Sequence, residues 1–583
     1  MGLLWRFFQR FLRYKGALLL GFAAIPLAQG ADVTITVLIG NALDRVRTDG
    51  SADAMPRIFA LLVAAALGHS IFRFFQRWII VVVSRRVEVD LKQELFDRLS
   101  CLDFAFHDKS RSGDVVSRLT SDVENLRMFL GPGMMYSIGA VVIVPLSLAL
   151  LYTIHPLLAG VMVLPMLGMG LAMKLLSPRL HKHSIAVQES LADISHRAQE
   201  NFAGIRVVKG YSREEQQSGR FGETSSSNRR NQIELGRARG LTHAAINGAF
   251  DLTFAVILVI GGLAAIDQTL PIGNLFKFID LTIKVFWPLI ALGWIAGMYP
   301  RAVASAKRVD ELLSERSPIR DAEHPTELHE VRGELDLKDV GFIYGQASRP
   351  ALQGVSVHVP AGTTLGVVGP TGAGKTTLLG LLGRLYDAQE GTLSLDGVPL
   401  RSLSLRTLRG ALGYVPQDSF LFSEAYHENI RFGADEELTD SQVAELIERA
   451  AMTEEVRQFP SGVDTVIGER GVTLSGGQRQ RTCIARALAR DPRILILDDC
   501  LSSVDTETER TLLANLRTAG EGRTVIVAAH RLSTVAEADQ ILILTQDGQV
   551  EDLGTHSQLL ERDGWYRMTW EQQQRRRELE VES

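Results

Sequence analysis

Long apolar runs lie almost entirely in the first 300 of the 583 residues, and shorter strand-like patterns replace them afterwards. A helix that crosses a bilayer needs about 20 mostly apolar residues. The pattern therefore predicts an α-helical membrane domain followed by a soluble domain. Six segments approach the required length, at about 17–40, 57–83, 131–153, 156–176, 245–266 and 273–299.

The first apolar segment also fits a different interpretation. Basic residues precede it and small residues follow it, as in a secretory signal peptide. We favour a membrane span, because the apolar stretch continues through 33–40, past the point where cleavage would occur.

Lysine and arginine are concentrated in the N-terminal segment and in two long connections, 84–130 and 177–244, whereas the connections at 155–156 and 267–273 contain neither. Basic segments stay on the cytoplasmic side of a membrane. We therefore expect a multi-pass protein of the cell inner (plasma) membrane, with its N-terminus and its soluble domain in the cytoplasm. Three scattered cysteines, without a CxxC pair, indicate neither a disulfide framework nor a zinc site.

The two long connections have helical periodicity among charged residues, as in Val87, Leu91, Leu95 and Leu99. We interpret them as membrane helices that continue into the cytoplasm and turn at two tips, 106–114 and 199–209. The membrane domain is predicted to cover 1–317, a linker 318–333 and the soluble domain 334–583. The net charge of −5 argues against a nucleic-acid partner.

Several charged residues fall inside the predicted spans, where charges usually have a function. Lys277, Asp280 and Lys284 share one helix face, which lines a cavity or forms internal ion pairs; both alternatives stay open. We interpret Arg73 and Arg77 as structural residues that snorkel towards the cytoplasmic end. Asp251 lies in the fifth span, and its role is left open.

The soluble domain contains a phosphate-binding loop, in the stretch GVVGPTGAGKTTLLGLLGRL. Its pattern G-x-x-x-x-G-K-[ST] lies between a predicted strand and a helix, where backbone N–H groups can hold phosphate oxygens. Lys375 is expected to reach the β- and γ-phosphates of ATP, and Thr376 to help hold Mg²⁺. The candidate ATP-binding residues here are Gly369, Pro370, Thr371, Gly372, Ala373, Gly374, Lys375, Thr376 and Thr377.

Two adjacent acids end a second apolar strand, ILILDD. Asp498 has the position of an Mg²⁺ ligand in a phosphate-loop enzyme. Asp499 would face the attacking water, or would merely solvate the strand end.

Between these two sites lies LSGGQRQR, 474–481. Together with the phosphate loop, the paired acids and six spans, it makes the chain closely resemble an ATP-binding cassette (ABC) exporter half-transporter of the bacterial multidrug or lipid type. The resemblance implies ATP and Mg²⁺ as cofactors and a dimer with two ATP sites at its interface. It also implies that the tips 106–114 and 199–209 are coupling helices that dock on nucleotide-binding domains.

The remaining family motifs occur in order. Tyr344 resembles the aromatic residue that stacks on adenine, and Gln417 the glutamine near Mg²⁺ and the attacking water. Asp505 resembles a cross-interface aspartate, and His530 the γ-phosphate switch histidine. The signature residues, which bind the γ-phosphate of the partner's site, would be Ser475, Gly476, Gly477 and Gln478.

At Asp499 the chain departs from the family pattern, which has glutamate. Aspartate is one C–C bond shorter, about 1.5 Å, so we expect a poor general base and slow hydrolysis. This resembles the degenerate half of a heterodimer, whose partner chain carries the glutamate; a homodimer with two slow sites is the alternative.

The expected activity is ATP-driven export of a hydrophobic or amphipathic compound, such as a drug, lipid or peptide. A membrane-anchored ATPase that transports nothing is a further alternative. An importer is less expected, because importers of this family usually keep their membrane and ATPase parts on separate chains.

Overall fold

The structure is a computed structural model that describes residues 2–48, 55–345, 347–468, 474–502, 504, 506–519 and 522–582. The chain forms two compact units. The first comprises Met1–Ser100 and Ser112–Glu315, and the second comprises Cys101–Arg111 and Arg316–Ser583. The segment 101–111, which the sequence analysis assigned to the membrane domain, therefore packs with the second unit.

The described residues of the first unit form helices joined by short connections, without strands. Short helical turns at Leu12–Tyr14, Arg118–Asp122, Phe129–Gly133 and Ile257–Gly261 join some of its helices. Together with α4, which belongs to the second unit, the helices up to residue 314 are α1 (Gly2–Phe11), α2 (Lys15–Thr48), α3 (Met55–Ser100), α4 (Phe104–Lys109), α5 (Ser112–Ser117), α6 (Val123–Met128), α7 (Met134–Ile154), α8 (Pro156–Ala203), α9 (Ile205–Gly210), α10 (Glu214–Val256), α11 (Gly262–Ile266) and α12 (Ile272–Ser314).

The six predicted spans are confirmed. Each lies inside one of six helical stretches, 43 to 53 residues long, that are apolar enough to cross a membrane and were found among the described residues. A helix of 46 residues is about 69 Å long, roughly twice the thickness of the hydrocarbon core. The helices therefore extend well beyond the bilayer, as the amphipathic connections predicted.

Helices α2 and α12 approach each other closely at two glycines. A Cβ atom on Gly273 would lie 1.9 Å from the Gly40 carbonyl oxygen, so a larger residue has no room here. The Gly273 N–H donates to Asp44 Oδ1 at 2.6 Å. The contact joins α2 to α12, and both helices contribute to a core in which Leu151, Leu158 and Phe278 are fully buried.

The second unit contains two sheets. A four-stranded sheet has the order β2-β1-β4-β5, and a six-stranded sheet the order β10-β9-β3-β8-β7-β6. The strands are β1 (Leu335–Phe342), β2 (Leu352–Val359), β3 (Thr364–Val368), β4 (Glu390–Leu395), β5 (Val398–Pro399), β6 (Leu412–Val415), β7 (Ile494–Asp498), β8 (Thr524–Ala528), β9 (Gln540–Leu544) and β10 (Val550–Gly554).

Helices cover the six-stranded sheet, and two short turns, Leu400–Ser402 and Gly462–Asp464, complete the unit. The helices are α13 (Lys375–Leu382), α14 (Leu405–Gly410), α15 (Tyr426–Arg431), α16 (Asp440–Arg449), α17 (Thr453–Gln458), α18 (Gly476–Leu488), α19 (Thr506–Ala519), α20 (Leu532–Val535), α21 (His556–Glu561) and α22 (Trp565–Glu582).

Strand order in the six-stranded sheet decides where the motifs meet. Strands β9, β3, β8, β7 and β6 run parallel, and only β10 is antiparallel. The carboxyl ends of parallel strands form one edge, where α/β proteins bind their ligands. Asp498 pairs with Ala528, and Val415 with Leu497, so the segments after β6, β7 and β8 leave the sheet side by side. The predicted fold class, six spans followed by an α/β phosphate-loop domain, is confirmed.

Candidate functional site

The phosphate loop connects the end of β3 to the start of α13. Three of its glycines have positive φ: Gly369 at +151°, Gly372 at +85° and Gly374 at +89°. At Gly369 and Gly374 a Cβ would lie 2.3 Å from the carbonyl oxygens of Leu544 and Ala351, respectively. These two positions need glycine for both conformation and space.

Lys375 bends back over the loop that precedes it. Its Nζ donates to the Gly369 carbonyl oxygen at 2.9 Å and to the Pro370 carbonyl oxygen at 3.1 Å. Burial lowers the pKa of the Lys375 ammonium group, whereas the charges of Asp499 and Asp498 act in the opposite direction. The lysine thus stabilises the loop in the shape that surrounds a phosphate group.

Asp498 has the environment of a metal ligand. Its side chain is 2% exposed, and Oδ1 accepts a hydrogen bond from Thr376 Oγ1 at 3.1 Å. Its Oδ2 atom is buried and has no hydrogen-bond partner among the described residues. Burial also raises the pKa of the Asp498 carboxyl group. A hydroxyl group and a carboxylate with a free oxygen are the ligands that Mg²⁺ prefers, so the residues fit this ion.

Asp499 adopts a left-handed backbone conformation, with φ of +45°. Its N–H donates to the Ala528 carbonyl oxygen at 2.9 Å, and its carbonyl oxygen accepts from Ser502 Oγ at 3.0 Å. The chain therefore turns sharply directly after β7, and the half-buried Asp499 side chain leaves the strand at this turn. Aspartate tolerates this conformation better than most residues.

Tyr344 belongs to an aromatic cluster beside the phosphate loop. Its hydroxyl shares a hydrogen bond of 3.0 Å with Thr377 Oγ1. The Tyr344 ring packs edge-on against Phe342 and Tyr386, with centroids 4.8 and 5.3 Å apart. Because the residue is still 39% exposed, part of its ring surface is free for a base to stack on.

Tyr386 was not predicted from the sequence, and it connects this cluster to segment 101–111. The Phe104 ring packs edge-on against Tyr386, with centroids 6.0 Å apart. The Tyr386 hydroxyl donates a hydrogen bond to the Asp108 carboxylate. A chain of contacts therefore runs from Asp108 through Tyr386 and Tyr344 to Thr377 of the phosphate-loop helix.

The signature residues form the start of α18. Ser475 Oγ accepts from the Gln478 N–H at 3.2 Å, and Gln478 Oε1 accepts from the Ser475 N–H at 3.0 Å. This reciprocal cap orders the helix start, whose first backbone N–H groups, from Gly476 onwards, lack intrahelical partners. The arrangement offers an anion both N–H groups and the positive end of the helix dipole.

The remaining candidates lie at ends of parallel strands. Gln417 follows β6 and His530 follows β8, and both side chains are exposed. The His530 carbonyl oxygen accepts from Gln573 Nε2 at 3.0 Å. Asp505 lies outside the described residues. The sheet thus brings together the segments that carry the phosphate loop, Asp498, Asp499, Gln417 and His530, whereas Ser475 begins a separate helix.

In the membrane unit, the predicted face of α12 is divided between two roles. Lys277 is 9% exposed, and its Nζ donates to Asn41 Oδ1 at 2.7 Å and to Asn274 Oδ1 at 2.9 Å, so it holds helices together. Lys284 lies instead on the wall of a cavity of about 500 Å³. Asp280 contributes an ion pair of 3.3 Å to Lys284, and Asp251 is exposed.

Arg73 and Arg77 also line this cavity. The interpretation of these residues as structural, snorkelling side chains stays a prediction, and their place in the lining gives them a second candidate role. Helical spacing alone could not reveal this, because it does not show which face of α3 borders the cavity.

The comparisons with known proteins agree with this geometry. Residues 18–289 match the ABC transporter transmembrane region, and residues 352–502 match the ABC transporter family of ATP-binding domains. The "Multidrug resistance-like ATP-binding protein MdlA" of Escherichia coli is 32% identical, over 98% of this chain and 96% of its own. The "ATP-dependent lipid A-core flippase" of Methylococcus capsulatus is 31% identical, over 96% and 93% of the two chains.

A solved structure of a bacterial Atm1-family ABC exporter with ATP bound superposes with a TM-score of 0.78, at 27% identity, and the match covers 96% of this chain and 98% of that one. The chain carries six candidate membrane helices and an ATP-binding domain. The relatives named above are more than 30% identical to it over nearly the full length of both chains. The chain belongs to the ABC transporter family and is a multi-pass membrane protein with the architecture of an ABC exporter.

Proposed function

We propose that the chain is one half of a dimeric exporter in which ATP drives a hydrophobic or amphipathic compound across the inner membrane by alternating access. The observation that carries the proposal is a membrane cavity on the same chain as a complete phosphate loop and a buried carboxylate with a free oxygen. The names of relatives, a multidrug resistance-like protein and a lipid A-core flippase, support this class of compound. The ATP-binding domain lies in the cytoplasm.

At the ATP site, Thr376 and Asp498 would hold Mg²⁺, which neutralises charge on the phosphate oxygens. The phosphate-loop N–H groups and Lys375 bind the phosphate groups, and the free part of the Tyr344 ring orients the base. Asp499 is placed to orient the attacking water, with Gln417 and His530 at the neighbouring strand ends. Ser475 and the N-terminus of α18 serve the site of the partner chain, and Asp505 would act across the same interface.

A dimer is supported by the second tip. Large apolar side chains of this tip are solvent-exposed in the single chain, with Phe202 74% and Val207 63% exposed. Exposed apolar residues at the end of long paired helices are typical of a docking surface. We propose that this tip docks on the ATP-binding domain of the partner chain.

The partner is proposed to be a non-identical chain with glutamate at the position of Asp499. The site on this chain then holds ATP and hydrolyses it slowly, while its signature residues complete the faster site of the partner. ATP-dependent uptake into inverted membrane vesicles tests the proposal, with the chain alone and with a candidate partner encoded beside it. Export by the pair but not by either chain supports the heterodimer; absence of both transport and compound-stimulated ATPase activity in the pair would identify an anchored ATPase instead.

Asp498→Asn is expected to stabilise the nucleotide-free chain and to abolish its stabilisation by Mg²⁺ and ATP. A carboxyl group whose pKa is raised by burial binds protons more readily when folded, so the folded state loses stability as the pH rises through that pKa. Asparagine removes this cost, which we expect to be about 1 kcal/mol at neutral pH. Thermal unfolding with and without MgATP measures both effects. Without nucleotide, the difference in stability between the variant and the natural chain should shrink at acidic pH.

Asp396→Asn is the matched control. The Asp396 carboxylate accepts from the N–H groups of Arg332, Gly333 and Glu334 at 2.8, 3.1 and 2.8 Å, so the same substitution should destabilise the chain. A lower unfolding temperature for Asp498→Asn, or an unchanged response to MgATP, would contradict the assignment.

Tyr386→Phe is expected to weaken the coupling between ATP hydrolysis and transport while ATP binding persists. The substitution keeps the ring contacts and removes only the hydrogen bond to Asp108. Residues between two sites typically change coupling by about 1 kcal/mol, or fivefold. The measurement is the number of molecules transported per ATP hydrolysed. Tyr152 is exposed on a membrane helix, so the control substitution Tyr152→Phe should leave this number unchanged.

A further inference from the structure

The cavity of the membrane unit has a positively charged wall. Its lining comes from α2, α3, α7 and α12, and encloses about 500 Å³. The lining side chains that are charged, or can gain a charge, near neutral pH are Asp32, His69, Arg73, Arg77 and Lys284. Only one of these five is acidic.

The single carboxylate of the lining is already paired. Asp32 Oδ1 lies 2.6 Å from Lys284 Nζ, and Asp280 lies 3.3 Å from the same ammonium group. Lys284 is therefore neutralised by two acids and contributes little free positive charge.

Arg73 and Arg77 lack such partners. Among the described residues, no carboxylate lies within 4.0 Å of either guanidinium group; the one polar side-chain neighbour of Arg73 is His69, at 3.5 Å between Nη1 and Nε2. His69 itself is held by the Ala28 carbonyl oxygen at 3.0 Å. Residues 69, 73 and 77 are spaced by four, so they form one stripe along α3. The stripe carries two uncompensated positive charges.

Both charges fall within the predicted span 57–83, and Arg73 lies near its middle. Arg73 is three residues from the middle of the predicted span 57–83, which corresponds to about 4.5 Å along the helix. An unpaired arginine at this depth is costly in lipid, and such residues normally face a water-filled cavity or bind a ligand. A planar guanidinium group can bind carboxylate, sulfonate or phosphate through two parallel hydrogen bonds.

Much of the remaining lining is apolar and aromatic. Trp287 is 71% exposed and Tyr136 43% exposed, and Met135 and Ile143 also line the cavity. A ligand that fits both parts combines an anionic group with an apolar body.

We infer that the membrane cavity takes amphipathic anions, whose charged group binds the Arg73–Arg77 stripe and whose apolar body lies against Trp287 and Tyr136. This rests on the proposed export function and narrows its substrate class. The anion is either the headgroup of a lipid or the acidic group of a soluble organic compound.

Binding of two dyes to the full chain in zwitterionic lipid nanodiscs tests the inference without ATP. Carboxyfluorescein and rhodamine 123 share a xanthene body and carry opposite charge, and fluorescence anisotropy gives their affinities. We expect carboxyfluorescein to bind more tightly, and Arg73→Gln/Arg77→Gln to weaken it about tenfold or more. The same variant should leave rhodamine 123 unchanged or tighter.

Two further variants separate charge from structure. Arg73→Lys/Arg77→Lys should recover most of the affinity, and Arg57→Gln, on the same helix but outside the cavity lining, should have no effect. Equal binding of the two dyes, or carboxyfluorescein affinity that is unchanged in the double glutamine variant, would overturn the inference.

Competition identifies the source of the anion. Displacement of carboxyfluorescein by short-chain phosphatidylglycerol, but not by short-chain phosphatidylcholine, points to a lipid headgroup; failure of both to displace it points to a soluble anion. Arginine-dependent binding without ATP-driven transport would overturn the export function alone, and transport of rhodamine 123 in preference to carboxyfluorescein would overturn the anion preference alone.

Discussion

Asp499→Glu is expected to raise the ATPase turnover of the chain by about 100-fold, assayed without the non-identical partner, as two identical copies that complete each other's sites. A general base must come within hydrogen-bond distance of the water that it polarises, and aspartate falls short by one C–C bond, about 1.5 Å. The longer side chain restores this reach. Steady-state phosphate release at saturating MgATP, with purified chain in lipid, measures the effect.

The backbone at this residue provides a second readout. Asp499 has φ of +45°, a conformation that aspartate tolerates better than glutamate. The faster variant should therefore be no more stable than the natural chain, which excludes general stabilisation as the cause. Asp499→Asn serves as the control and should lower the residual turnover further. Brisk hydrolysis by the natural chain, or no gain from glutamate, would remove the case for a slow site and a non-identical partner.

Gly374→Ala is expected to weaken ATP binding by about 100-fold or more. The new Cβ would lie 2.3 Å from the Ala351 carbonyl oxygen and 2.8 Å from Leu352 Cδ2, at a residue with φ of +89°. Overpacking and a left-handed alanine together cost about 3 kcal/mol, which corresponds to about 100-fold in a dissociation constant. The loop must move directly before Lys375, so its N–H groups no longer converge on one phosphate.

Gly372→Ala is a closely matched control for this substitution. Its φ is +85°, but a Cβ there has nothing within 4 Å. It carries only the conformational cost, about 1 kcal/mol, so ATP affinity should fall about fivefold. Isothermal titration calorimetry with ATP compares the two variants, and thermal unfolding without nucleotide shows whether either chain is globally unfolded. Similar ATP affinities for both variants would mean that the close contacts of a Cβ at Gly374 do not distort the loop.

Apolar runs and glycine patterns predicted the large features well. The six spans followed from run length alone, because a helix must satisfy its own backbone in lipid. The position of Asp498 followed from the apolar strand before it, since a buried strand in a parallel sheet brings its last residue to the ligand-binding edge. These features depend on local sequence and on general rules of topology.

Features that depend on distant residues were missed. The left-handed turn at Asp499 depends on the Ala528 carbonyl oxygen of a neighbouring strand, and the Tyr386 contact joins residues 278 positions apart. Charge inside a span singled out Lys277, Arg73 and Arg77 but did not show their surroundings: Lys277 holds helices together, while Arg73 and Arg77 line the cavity. Helical spacing places residues on one face without showing what that face meets.

The lysine of the phosphate loop has one more consequence. Its ammonium group donates to the carbonyl oxygens of Gly369 and Pro370, at the other end of the loop. The side chain therefore joins the two ends of the loop, in addition to its proposed contact with phosphate. A substitution that shortens or neutralises this side chain would alter the loop itself, so the resulting loss of ATP affinity would combine both effects.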